Sequence, residues 1–136
     1  MSNSAIQNLD LLAARTAQAI VNAMPEDKKK ISALENMATK ALGVLQEQGV
    51  YAGLLFLYAK NEDAAKGLRG ELLNALAEPE MEGFQLGFPT AKDKRKWQDV
   101  NDHLLKICAD LDTLLLVKQL WEQTLIYVRY GARAQG

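Results

Sequence analysis

The chain has 136 residues, of which 49% are hydrophobic and 24% charged, so one packed domain is expected and a disordered chain is not. A formal net charge of −1 excludes a protein that coats nucleic acid by bulk charge, while leaving room for a local basic stripe. The single Cys108 permits no internal disulfide, which fits a reducing cytosol.

The opening MSNSAIQNLD has neither the basic start nor the apolar centre of a secretion signal, so a cytoplasmic location without membrane contact is expected. Ile6, Leu9, Ala13, Ala17, Ile20 and Met24 then recur at steps of three and four, one face of a first helix. Asn3 or Ser4 suits its start, and Met24-Pro25 its end, because the residue before Pro avoids helical torsions. Pro25 fits the first turn of a second helix, with Glu26 and Asp27 well placed against its dipole. Ile31, Leu34, Ala38, Ala41 or Leu42, and Leu45 form its buried face, and Gly49 stops it.

The third helix is GVYAGLLFLYAK, Gly49 to Lys60, with no charge before Lys60. Val50, Leu54, Leu55, Phe56 and Leu57 cover more than one face, so this helix is expected at the centre of a bundle, wrapped by the others. It is too short to cross a bilayer, which takes about 20 apolar residues. Asn61 suits the cap of a fourth helix. In that helix Ala65, Leu68, Leu72 and Leu76 hold the helical step with Leu73 beside them, while Gly67 and Gly70 weaken it.

From Glu78 to Thr90 the period fails, and two Pro and two Gly mark a loop. Phe84, Leu86 and Phe88 within it either clip the loop to the bundle or offer a contact to a neighbouring subunit. Thr90 caps a fifth helix with Trp97, Val100, Leu104, Ile107 and Leu111 on one face. Asp110 or Asp112 starts a sixth, with Leu114, Trp121, Leu125 and Val128 inward, unless the two are one long helix bent near Asp110. The fold class is therefore all-α, a single domain of five or six helices around a central apolar one.

Chemistry is sparse. His103 and Cys108 are five residues apart, about 140° around a helix, and do not converge as base and nucleophile. A zinc site needs further His or Cys, the aspartates Asp99, Asp102, Asp110 and Asp112 read as a solvated surface, and GLRGE lacks a phosphate-loop pattern. No enzyme, metal or cofactor is expected.

The cations are more informative. Lys118, Arg129 and Arg133 fall along one side of the sixth helix, interrupted by Glu122 and flanked by Tyr127 and Tyr130. Lys92, Lys94, Arg95 and Lys96 crowd the start of the fifth helix, where positive charge opposes the dipole. Lys60 with Lys66 and Arg69 gives a third patch, and Lys28, Lys29 and Lys30 a fourth. Such stripes are either solvated faces or contacts to successive phosphates of an RNA backbone.

GVYAGLLFLYAK resembles, without a gap, the GL-x-x-x-LAFL-x-AK segment of the small subunit of type III-B CRISPR-Cas effector complexes, the RNA-targeting Cmr complex; Gly49, Leu54, Phe56, Leu57, Ala59 and Lys60 match. EQTLIYVRYGAR is similar to that family's ExALxYLRWxxR through Glu122, Leu125, Tyr127, Arg129 and Arg133, with Tyr130 standing for Trp. Arg15 and Ala17 to Ala19 resemble its Arg-Ala start more weakly, and Gly131 and Ala132 replace a bulky apolar residue and a cation. The resemblance implies an all-helical, noncatalytic subunit without cofactor. Such subunits stack in several copies beside the backbone and large subunits and line the channel of guide RNA and target RNA. It implies RNA contact by Lys60, Arg129 and Arg133, and more weakly by Arg15. Lys118 and Lys92, Lys94, Arg95 and Lys96 join them on the charge argument alone. The alternatives are a type III-A small subunit or a helical protein-interaction adaptor that uses the Phe84 to Phe88 loop.

Overall fold

The computed structural model describes residues 2–24, 27–78 and 96–135, with side chains from Leu9 onward. These residues form six α-helices and no strand: α1 (Ser2–Ala23), α2 (Lys28–Gln48), α3 (Val50–Tyr58), α4 (Asp63–Leu76), α5 (Trp97–Ala109) and α6 (Leu111–Gln135). None of them is long and apolar enough to cross a membrane.

Leu9, Leu12, Ala13, Ala17, Ile20 and Val21 bury the inner stripe of α1. Thr16 lies in the same stripe, and its hydroxyl donates to the Leu12 carbonyl at 2.8 Å, so no polar group is stranded there. The second helix starts later than its sequence implies. Asp27 is its N-cap, accepting from the Lys29 N–H at 2.9 Å, and the expected role of Pro25 and Glu26 lies outside the described residues.

Gly49 closes α2 and opens α3 in one residue. Its φ of 99° is open to glycine and strained for L side chains, its N–H donates to the Leu45 carbonyl, and its own carbonyl accepts from Gly53. A β-carbon on Gly53 would lie 3.3 Å from the Leu45 β-carbon, so the absence of a side chain lets α3 fold back tightly on α2.

The apolar α3 packs on α2, α4, α5 and α6, burying Val50, Gly53, Leu54 and Leu57. It is not enclosed on every side, because Leu55 is 40% exposed. The widest packing belongs to α6, which meets all five other helices. Val117, Leu120, Trp121, Thr124, Leu125, Val128 and Ala132 are its buried residues. Trp121 is fully buried and donates its indole N–H to the Leu72 carbonyl at 3.1 Å, tying α6 to α4. Where α6 meets α1, a β-carbon on Gly131 would sit 3.1 Å from Val21 Cγ2, and the adjacent Ala132 is wholly buried. A bulky residue and a cation at these two positions would not fit this close approach.

Two helix boundaries differ from expectation, and one open choice is decided. Glu62 rather than Asn61 precedes α4, with Asp63 favourably placed in its first turn. Lys96 is the extended N-cap of α5, so that helix begins at Trp97 rather than after Thr90. The fifth and sixth helices are separate. Asp110 takes an extended conformation between them, and its carboxylate accepts from the Thr113 N–H at 3.2 Å and from the Thr113 hydroxyl, capping α6.

Candidate nucleic-acid interface

The best-developed cationic face lies where α3 ends and α4 begins. A helix C-terminus leaves carbonyls without helical partners. Here Arg69, reaching back from α4, donates through Nη1 to the Leu57 carbonyl at 3.2 Å and the Lys60 carbonyl at 3.5 Å. The same guanidinium sits 4.4 Å from the Tyr58 ring centroid, and Lys60 Nζ lies 5.3 Å from that of Phe56, both cation–π distances. Tyr58 in turn meets Trp97 at 5.3 Å between centroids, and Tyr51 meets Trp97 edge-on at 5.6 Å. The Tyr51 hydroxyl donates to Asn101 Oδ1 at 2.6 Å and fixes α5 against α3. The first turn of α5, with exposed Lys96 before it, is thereby held beside the end of α3.

Next to Tyr58, a shallow cleft of about 330 Å³ is lined by Lys66, Gly67, Arg69 and Gly70, with Glu71 as its one acid among the described residues. β-Carbons at Gly67 and Gly70 would meet nothing within 4 Å, so this side of α4 exposes bare backbone between its cations. Among the described residues, Lys60, Lys66, Arg69 and Lys96 form no ion pair with an acid.

The other candidates are placed differently. Arg15 Nη2 lies 3.6 Å from Glu78 Oε2, across the α1–α4 contact. Lys118 Nζ is 3.7 Å from Glu122, the residue that interrupts the α6 stripe. Arg133 Nε donates to Glu35 Oε1 at 2.6 Å, fastening α6 to α2, and this hydrogen bond raises the Arg133 pKa above its already high ordinary value. Arg129, one turn before, has its Nε–H buried without an acceptor among the described residues. Of the α6 cations, Arg133 is thus tied to α2 and Lys118 to its own helix, while Arg15 belongs to the α1 side; the structure does not gather them into one free stripe. Lys92, Lys94 and Arg95, and the proposed contact loop of Phe84, Leu86 and Phe88, lie outside the described residues.

The sequence reading missed Arg69 as the cap of α3 and the tyrosine pair that grips Trp97. A signal existed for the pair: Tyr51 and Tyr58 are seven apart, two turns along one helix face. Nothing local announces that Arg69 reaches back twelve residues. Flanking α6, Tyr127 donates its hydroxyl to Asp10 Oδ1 at 2.6 Å, and Tyr130 is 67% exposed. Half-buried His103 lies on α5, and partial burial pushes the Cys108 thiol above its ordinary pKa. Among the described residues, no three His, Cys, Asp or Glu side chains gather where they would hold a metal ion.

Comparison with protein-family models, with curated proteins and with solved structures finds no match to this chain. The likeness to the type III-B small subunit therefore rests on the matched residues themselves.

Proposed function

We propose that this chain is a noncatalytic helical subunit of an RNA-guided effector complex of the type III-B kind, touching RNA only through its sugar–phosphate backbone. The observation that carries the reading is the face at the end of α3. The apolar block that resembles the family forms this helix, and its last matched residue, Lys60, stands beside aromatic rings and among cations that form no ion pair with the described residues. Free cations attract phosphate, and aromatic or guanidinium planes accept a base without reading its identity. Arg15, Lys118 and Arg133 contribute less, because each already neutralises a glutamate.

Affinity purification of the tagged chain from the cells that make it tests this directly. Guide RNA and other effector subunits should copurify with it; recovery of the chain without RNA or those subunits contradicts the reading. A second reading, a helical protein adaptor without RNA contact, is favoured by Leu111 and Leu115, one turn apart on α6 and 65% and 53% exposed. Under that reading, Leu111→Ser with Leu115→Ser abolishes partner recovery while Lys60→Glu with Lys66→Glu leaves it unchanged. The RNA reading expects loss of RNA with the lysine pair.

A further inference from the structure

A second cavity, different in character, borders the cationic cleft and shares Gly67 and Glu71 with it. It opens where α1 ends and α2 and α4 begin, with a volume of about 410 Å³, within the range of sites that accept ligands or anchor side chains. Ile20, Met24, Leu34 and Ala64 give it an apolar lining. It exists because Gly67 presents no side chain to it: a β-carbon there would touch nothing within 4 Å, and the facing Ala23 and Ala33 are too short to fill the space.

Its rim is acidic. Asp63, Gly67 and Glu71 are four apart and line one side of α4, so the two carboxylates flank the gap left by the glycine. Glu62 adds a third, against one ammonium, Lys30, among the described lining residues. Among the described residues, the exposed Glu62 and Asp63 form no ion pair, and Glu71 accepts from the Asn74 amide at 3.2 Å. An anionic occupant would be repelled here. A wholly apolar one would desolvate three carboxylates without compensating them.

We infer that this cavity is a docking site for a basic segment of a partner protein, one that inserts an apolar side chain between flanking arginines or lysines. The apolar anchor fills the space above Gly67, and the flanking cations meet Glu62, Asp63 and Glu71. This gives the chain a protein-binding face of opposite sign to the cationic one, and the inference does not rest on the RNA reading.

The test uses the full chain and a fluorescein-labelled heptapeptide with a Leu-Trp-Leu centre and two arginines on each side, followed by anisotropy. The peptide should bind, and its counterpart with glutamates in place of arginines should not. Asp63→Lys with Glu71→Lys should weaken binding about tenfold or more, the combined effect of reversing two rim charges. Gly67→Leu should abolish it by plugging the cavity, whereas Gly67→Ala should preserve it. Ala33→Leu fills the same space from α2, should Gly67→Leu disturb the helix by circular dichroism. Failure of the arginine peptide to bind, equal binding of the glutamate peptide, or indifference to the rim reversals or to both cavity-filling variants overturns the proposal.

Discussion

Trp121 shows how one side chain serves both packing and polarity. Its ring is fully buried and its N–H reaches the Leu72 carbonyl. Trp121→Phe keeps an aromatic ring but leaves unfilled space and removes the bond, so a loss of about 1–3 kcal/mol is expected in urea unfolding. An unchanged midpoint would mean that the indole is not held as described. At the surface, Tyr127 donates to the Asp10 carboxylate, and this bond raises its pKa above the ordinary tyrosine value. The folded state thus holds the proton more tightly than the unfolded one. The resulting stabilisation is complete below about pH 10 and is lost as pH climbs through the folded value. Tyrosinate absorbance should show a late-titrating component that is lost in Tyr127→Phe; a variant that keeps all of that component contradicts this. These pairings were invisible in the sequence, because Asp10 and Tyr127 meet only after α1 and α6 have packed.

Element ends separate what sequence reveals from what it hides. Gly49 was legible as a stop because few residues other than glycine accept positive φ, and here it serves two helices at once. Gly67 and Gly70 weaken the helical signal of α4, and the helix runs through them as the leucine spacing implies, because Leu68, Leu72, Leu73 and Leu76 bury its inner face and packing outweighs propensity. Opposite effects follow for one substitution. Gly67→Ala and Gly70→Ala, with open space around each β-carbon, should each stabilise the fold by about 0.5–1 kcal/mol in thermal or urea unfolding. Gly49→Ala should destabilise it by about 1–2 kcal/mol, since alanine is forced into a left-handed torsion. Equal effects at the three positions would contradict the assignment. The question of one helix or two near Asp110 was open in the sequence because both arrangements bury the same leucines. The Asp110–Thr113 cap decides it, and Asp110→Ala should cost about 0.5–2 kcal/mol.

At the scale of the molecule, helical periodicity was enough to give an all-α bundle, because inward leucines and alanines at steps of three and four recur from Leu9 to Val128. The hierarchy inside the bundle was harder to foresee. Hydropathy singled out α3, yet a helix is central through its neighbours, and the more polar α6 meets all five. Charge periodicity had the same weakness. It set Lys118 and Arg133 along one side of α6, but it did not show that Glu122 and Glu35 occupy them. Only the three-dimensional arrangement separates cations spent on holding helices together from those left for a ligand. That distinction makes Lys60 and Lys66 the pair to reverse, and leaves Arg69 alone because it caps α3. Fluorescence anisotropy of a labelled single-stranded RNA, titrated with the isolated chain across a salt series, tests the account most directly. The wild-type chain should bind weakly and without sequence preference, losing affinity as salt rises, and Lys60→Glu with Lys66→Glu should flatten the salt slope by about 1–2. No binding at low salt, or an identical slope in the double variant, would contradict it.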